Sequence, residues 1–236
     1  MLSTLLLLAA AAPQDPLWVG KFSGSGGPPA PWRVVPLGKT RPTSYRQANV
    51  AKEPAIEARF DNSMAFLSRP IKVDLTATPV LCWRWMVQGG VAKGDVRKKS
   101  GNDFAARVYV AFDMPHSALN AGTKMKLAMA RRVLGMSVPD AAVTYVWDSR
   151  AAVGTAVKSP YTDRQQLIVA QSGNERAGQW ITERADVAAD FARAFGGKPG
   201  RPIELAIAAD GDNTKSAGRS AFADLHFVRR DQKCAG

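Results

Sequence analysis

The chain has 236 residues, 46% of them hydrophobic and 22% charged, and a formal net charge of +12. That length and apolar share support one ordinary domain with a substantial core, and they exclude a wholly disordered chain. A positive surplus of this size either attracts anions, such as acidic polysaccharide, lipopolysaccharide, a membrane surface or nucleic acid, or is only a solvated basic surface, the more common case.

Residues 1–12 contain four leucines at 5–8 and four alanines at 9–12. This is the apolar core and small-residue end of a secretory signal peptide, too short for a bilayer span of about 20 residues. It predicts a periplasmic or secreted protein without a transmembrane anchor. Residues 13–31, with Ser23-Gly-Ser-Gly-Gly-Pro-Pro, read as linker. A single domain is expected over 32–229, and 230–236 read as a tail.

Within that domain, short β-like runs fall at 32–36, 45–50, 55–60, 64–68, 71–75, 80–87, 104–112, 143–147, 167–171, 180–184, 203–209 and 221–228. Proline, glycine, aspartate and asparagine separate them. This is the pattern of an all-β chain, and we expect a jelly-roll-like antiparallel β-sandwich with one or two short peripheral helices. In the 104–112 run, Phe104, Ala106, Val108, Val110 and Phe112 share one face, with Arg107 and Tyr109 opposite. One helix is predicted after Asp186, with Val187, Phe191, Ala194 and Phe195 on one face and Gly196-Gly197 at its end. A second is predicted over 122–135, with Met125 and Met129 on one side, as an insertion over a sheet rim.

The two cysteines, Cys82 and Cys234, leave two readings open: a disulfide closing a very long loop, or a small core residue and a cysteine in a loose tail. Neither a CxxC redox site nor a zinc knuckle is present. Dense basic runs occur at 93–99, 124–132 and 229–233. None interleaves aromatic residues as a single-strand binder does, so nucleic acid is not expected as a partner.

The most chemically dense segment is Asp210-Gly-Asp212-Asn213-Thr214, directly after the apolar run 203–209. Crowded oxygen groups repel unless something fills the space between them. Three occupants compete: the loop's own amides, a cation, or ligand hydroxyls. Asp210, Asp212 and Thr214 are the candidate metal ligands, with calcium as the ion to consider, although Lys215 and Ala221 break the EF-hand pattern. Arg107 lies in an apolar strand and needs a carboxylate partner, either Asp103 or one from a neighbouring strand. Trp83, Trp85, Tyr145 and Trp147 either fill the core or stack on sugar rings. The candidate ligand-binding set is therefore Asp103, Arg107, Trp85, Asp210, Asp212 and Asn213.

Trp83-Arg-Trp85, the Gly101-Asn-Asp103-Phe-Ala-Ala-Arg107 run, Tyr145-Val-Trp147, the helix after Arg184 and Asp210-Gly-Asp212-Asn-Thr214 occur in a particular order. Together they resemble the bacterial domain-of-unknown-function family numbered 3047, over roughly residues 18–228. The resemblance implies a compact exported domain and supplies no catalytic residues. One position departs from that pattern, Asn102 standing where a Gly-Asp-Asp is expected. The run Ala221-Phe-Ala-Asp224-Leu-His226-Phe-Val228 is also similar to the last strand of jelly-roll carbohydrate-binding modules.

Three functions fit these residues. The first is a carbohydrate-binding protein, or one binding another polar or anionic envelope component. The second is a polysaccharide-acting hydrolase or lyase using Asp103, Asp224 or His226 as acid or base, with Arg107 meeting substrate charge. The third is a structural envelope protein whose acidic loop only turns the chain. Serine nucleophile elbows, P-loops and dinucleotide fingerprints are absent.

Overall fold

The computed structural model describes residues 15–134 and 138–236; the signal-like segment at 1–12 lies outside them. Two sheets face each other. The first, six-stranded and antiparallel, is built from β1 (Leu17–Gly20), β3 (Ser44–Val50), β4 (Glu53–Asp61), β6 (Val80–Val87), β11 (Ile181–Asp186) and β13 (Ala217–Val228). Its order is β11-β6-β13-β4-β3, and β1 also pairs with β13. The second, seven-stranded, has the order β2 (Arg33–Pro36), β5 (Ala65–Pro70), β12 (Arg201–Ala208), β7 (Arg107–Asp113), β8 (Ala141–Asp148), β10 (Thr162–Ser172) and β9 (Ala156–Ser159). All of its pairs are antiparallel except β8 with β10.

From β4 onward the chain passes repeatedly between the sheets, so alternation within each strand sends one side chain in two to a shared core. Trp83, Trp85, Phe222 and Phe227 enter it from one side, and Val108, Val110, Phe112, Tyr145 and Trp147 from the other. Trp83 lies 5.1 Å from Tyr145 and Trp85 lies 5.8 Å from Trp147 between ring centroids. Helix α2 (Val187–Phe195) closes one end, where Phe191 packs 4.7 Å from Phe112. Asp186 caps it by accepting from the Ala189 amide, and Gly196 follows at φ 74°. Helix α1 (Ala121–Leu134) forms where the sequence places it.

Three expectations change. Residues 17–20 are not linker: they form β1 and pair with Leu225–Phe227 positions of β13, with Val19 and Phe22 buried. The 71–75 run is not a strand; Ile71, Val73 and Leu75 are buried, but the segment joins no ladder. Phe104 does not share the face of Val108. The chain bends ahead of β7, and Phe104 packs outside the main core with Val96, Val146, Leu167 and Val169.

The cysteines resolve as a disulfide between Cys82 and Cys234, 152 residues apart, so the tail is fastened to β6. Among the described residues no helix is long and apolar enough to cross a membrane.

Candidate functional site

Arg107, the first residue of β7, points away from the inter-sheet core, as its alternation with Val108 requires, and is nevertheless only 4% exposed. It reaches the loop after β12, where its Nε donates to Asp210 Oδ1 at 2.7 Å and its Nη2 pairs with Asp210 Oδ2. Nη1 donates to Asn102 Oδ1 and the Tyr109 hydroxyl, and Nη2 to the Asn102 carbonyl. Asp210 also accepts from the Phe104 amide. Burial by itself would lower the guanidinium pKa, but the facing carboxylate outweighs it and the net direction is up. Burial pushes Asp210 up, against the pull of Arg107. An ion pair this dry holds its partners in one geometry at a large desolvation cost.

Asp103 is the second anchor. Its Oδ1 accepts from the Asn213 amide and side chain, at 3.2 and 3.0 Å. Its Oδ2 accepts from the Thr214 amide and hydroxyl, both at 2.6 Å. Burial raises its pKa, and these donors more than offset that, so the carboxyl sits below its ordinary value. The loop is tight at Gly211, where an added Cβ would lie 2.2 Å from the Ser216 carbonyl oxygen. A side chain there would force the turn open.

Asp103, Asp210 and Asp212 each bring an oxygen within 4.8 Å of the others. Asp210 and Asp103, however, already have donors on both oxygens, and Thr214 gives its hydroxyl to Asp103. Arg107 therefore stands where a cation would meet Asp210. Asp212 differs, because its Oδ1 is buried without a hydrogen-bond partner. Burial first, and then the charge of Asp103, raise its carboxyl pKa.

The structure thus brings Asp103, Arg107, Asp210, Asp212, Asn213 and Thr214 together, and it excludes Trp85. That indole is fully buried, packs against Trp83 and Trp147, and donates to Glu183 at 3.1 Å. The period of β6 correctly puts Trp83 and Trp85 on one face; the opposing sheet makes that face the core. Asp224 and His226 also fall elsewhere, on the six-stranded sheet. Asp224 pairs with Arg84 at 3.0 Å. His226 Nδ1 donates to the Asp224 carbonyl while Nε2 accepts from the Ala235 amide, so the ring is held neutral beside the disulfide. They share no site with Asp103.

Outside the carboxylates, the loop opens onto a cleft of about 400 Å³ lined by Lys93, Asp95, Lys98, Ser100, Gly101, Arg150, Asn213, Thr214 and Lys215. Four cationic side chains face one carboxylate there, and Asp95 is already paired with Lys98 at 3.3 Å. Asp148, buried and not itself in the lining, accepts from the amides of Val96, Arg150 and Ala151 and so fixes the backbone that carries Arg150. Beside the cleft, Tyr161 donates to Asn213 Oδ1 at 2.8 Å and leaves 56% of its surface exposed. Sequence reasoning missed Arg150, Lys215, Asp148 and Tyr161. Its one usable signal was the basic run 93–99.

A family model described as "Protein of unknown function (DUF3047)" matches residues 30–226. No curated protein matches the chain significantly. Among solved structures, a family 11 carbohydrate-binding module of a cellulosomal cellulase of Clostridium thermocellum is similar at 7% identity and a TM-score of 0.46, covering 94% of this chain and 98% of that one. A family 30 module of another cellulase of that organism is similar at 12% identity and a TM-score of 0.40, covering 93% and 96%. The cleaved adhesin domain of Lys-gingipain from Porphyromonas gingivalis is similar at 11% identity and a TM-score of 0.42, covering 91% and 99%.

Proposed function

This chain belongs to the DUF3047 family, proteins of unknown function, and from that premise we propose that it binds an acidic carbohydrate in the cleft beside the Asp210 loop. One observation carries the reading: a recess of about 400 Å³ with Lys93, Lys98, Arg150 and Lys215 on its walls and a single carboxylate, Asp95. Ammonium groups supply point charges for carboxylate, sulfate or phosphate substituents. Ser100, Asn213 and Thr214 supply hydroxyl and amide partners for sugar hydroxyls. The exposed Tyr161 ring offers an apolar face against which a pyranose can lie. The buried Arg107–Asp210 pair and Asp103 act behind the wall, as positioning residues that hold Asn213 and Thr214 in place. The disulfide supports an exported location, because such bonds persist in oxidising compartments.

Titration calorimetry with a soluble polyuronate and with a neutral glucan tests this. We expect the polyuronate to bind, to weaken with added salt, and to bind at least about tenfold more weakly to Lys93→Glu/Lys215→Glu, the loss that about 1.4 kcal/mol represents. Equal binding of the neutral glucan, or full binding by the charge-reversed variant, would overturn it. A catalytic reading rests on Asp212, whose buried unpartnered oxygen and raised carboxyl suit a proton donor. Chain cleavage of the polyuronate that disappears in Asp212→Asn would replace binding by catalysis.

A further inference from the structure

Helix α1 has no part in the cleft. Its sequence, AGTKMKLAMARRVL, contains no acidic residue and carries Lys124, Lys126, Arg131 and Arg132. It starts after Asn120, whose side chain accepts from the Thr123 amide at 2.8 Å. At 3.6 residues per turn, Thr123, Leu127 and Ala130 line one side; Leu127 is 6% exposed, so that side is the one against the protein. Arg131 is engaged there, with Asp140 at 2.8 Å and the Val138 carbonyl.

The opposite side is the unusual one. Met125 and Met129, one turn apart, are 71% and 64% exposed. Arg132 lies next to Met125 on the helical projection, outside the pair, and Lys124 and Lys126 lie on either side of the ridge, all exposed. Two unbranched apolar side chains bordered by long cationic ones match the boundary between lipid headgroups and acyl chains. Methionines enter the apolar layer, and lysine stems lie along it with their ammonium groups among phosphates. A soluble polyanion would meet the charges and have no use for the methionines. From this combination of exposed apolar ridge and charge complementarity, we infer that α1 is a membrane-surface element that docks the protein on an anionic lipid bilayer, its axis in the interfacial plane.

Flotation of the full chain with vesicles of phosphatidylcholine, with and without phosphatidylglycerol, tests this, read together with hydrogen exchange of the 121–134 amides. The expected result is stronger partition to the phosphatidylglycerol vesicles, with protection of those amides. Lys124→Glu/Lys126→Glu and, separately, Met125→Ser/Met129→Ser should each weaken partition by about tenfold or more, since each basic residue near an anionic surface and each buried apolar side chain contributes on that scale. These side chains are exposed, so neither variant threatens the fold, and an unchanged circular dichroism spectrum verifies it. Partition that ignores both variants, or vesicle binding without protection of 121–134, overturns the inference. So does sensitivity to the lysines alone with equal retention on duplex DNA, which would mark a general polyanion patch.

Discussion

Arg107 is a buried cation whose hydrogen bonds go to Asp210, Asn102 and Tyr109, and all three partners are themselves buried. The energetics of such a group are asymmetric. The pair as a whole repays little beyond its desolvation, yet removing one member leaves a bare charge in an apolar setting. Arg107→Met should therefore cost about 3–5 kcal/mol, read as a fall in the urea midpoint. Adding Asp210→Leu removes the stranded carboxylate, and the double variant should regain most of that loss. The Phe104 amide and the Tyr109 hydroxyl, left without their partners, keep it below the parent. Additive losses in the double variant would show that the pair is not the coupled unit its geometry describes. The partner's identity was not legible beforehand: an arginine in an apolar strand demands a carboxylate, but sequence spacing does not distinguish Asp103 from Asp210 when both lie near the strand's start. The fold divides their roles, with Asp210 meeting the charge and Asp103 holding the loop.

At the scale of elements, strand β13 carries the most varied load. Its first half pairs with β4 and its second with β1, and the switch comes at a bulge where Asp224 adopts φ 54°. The tail beyond it returns to this sheet, where Cys234 joins Cys82 of β6 and the Ala235 amide donates to His226. Because the bond closes a 152-residue separation, the unfolded chain loses much freedom by it. Cys82→Ser/Cys234→Ser should lower stability by about 2–5 kcal/mol, and the amides of 229–236 should exchange faster. A midpoint unchanged by the double substitution would mean that packing alone holds the tail. The elements differ in legibility for physical reasons. Strands bounded by turn residues, and α2 with its Asp186 cap and Gly196 end, announce themselves locally. Strand β1 does not, being four residues beside a Gly/Ser/Pro stretch with a partner more than 200 residues away. The 71–75 run shows the converse: its alternation reports a buried side and not a hydrogen-bonded neighbour. The Asp210 cluster could be read because its groups are contiguous, whereas the cleft beside it could not, since Lys93, Arg150 and Lys215 come from three separate loops.

For the molecule as a whole, the partly buried titratable groups pull stability in opposite directions with pH. Desolvation acts on every one of them, but Glu57, Asp103, Asp140 and Asp186 have arginine or amide donors that outweigh it and lower their pKa values. Their stabilisation is present above the unfolded carboxylate range, about 4, and is lost as pH falls through the folded values. His226 is lowered by burial, so the native state holds it neutral; its contribution is lost as pH falls through the unfolded value near 6.5. Glu183 acts the other way. Burial against Trp85 raises it, with the donors Gln171 and Trp85 opposing. The native state therefore binds its proton more tightly than the unfolded chain, and stability falls as pH rises from the unfolded glutamate value, about 4.3, through the higher folded one. His226 and Glu183 thus oppose each other, and Asp210 and Asp212, raised by burial, act in the same direction as Glu183, so a single pH curve of the parent protein cannot isolate Glu183. Glu183→Gln can. The amide oxygen still accepts from Trp85 and Gln171, while the buried charge is gone. The variant should match the parent in urea midpoint near pH 4, gain on it as pH rises, and hold a constant advantage once Glu183 is fully ionised. An advantage that does not vary with pH would assign the effect to packing and not to the proton, and an advantage that shrinks as pH rises would reverse the sign argued for Glu183.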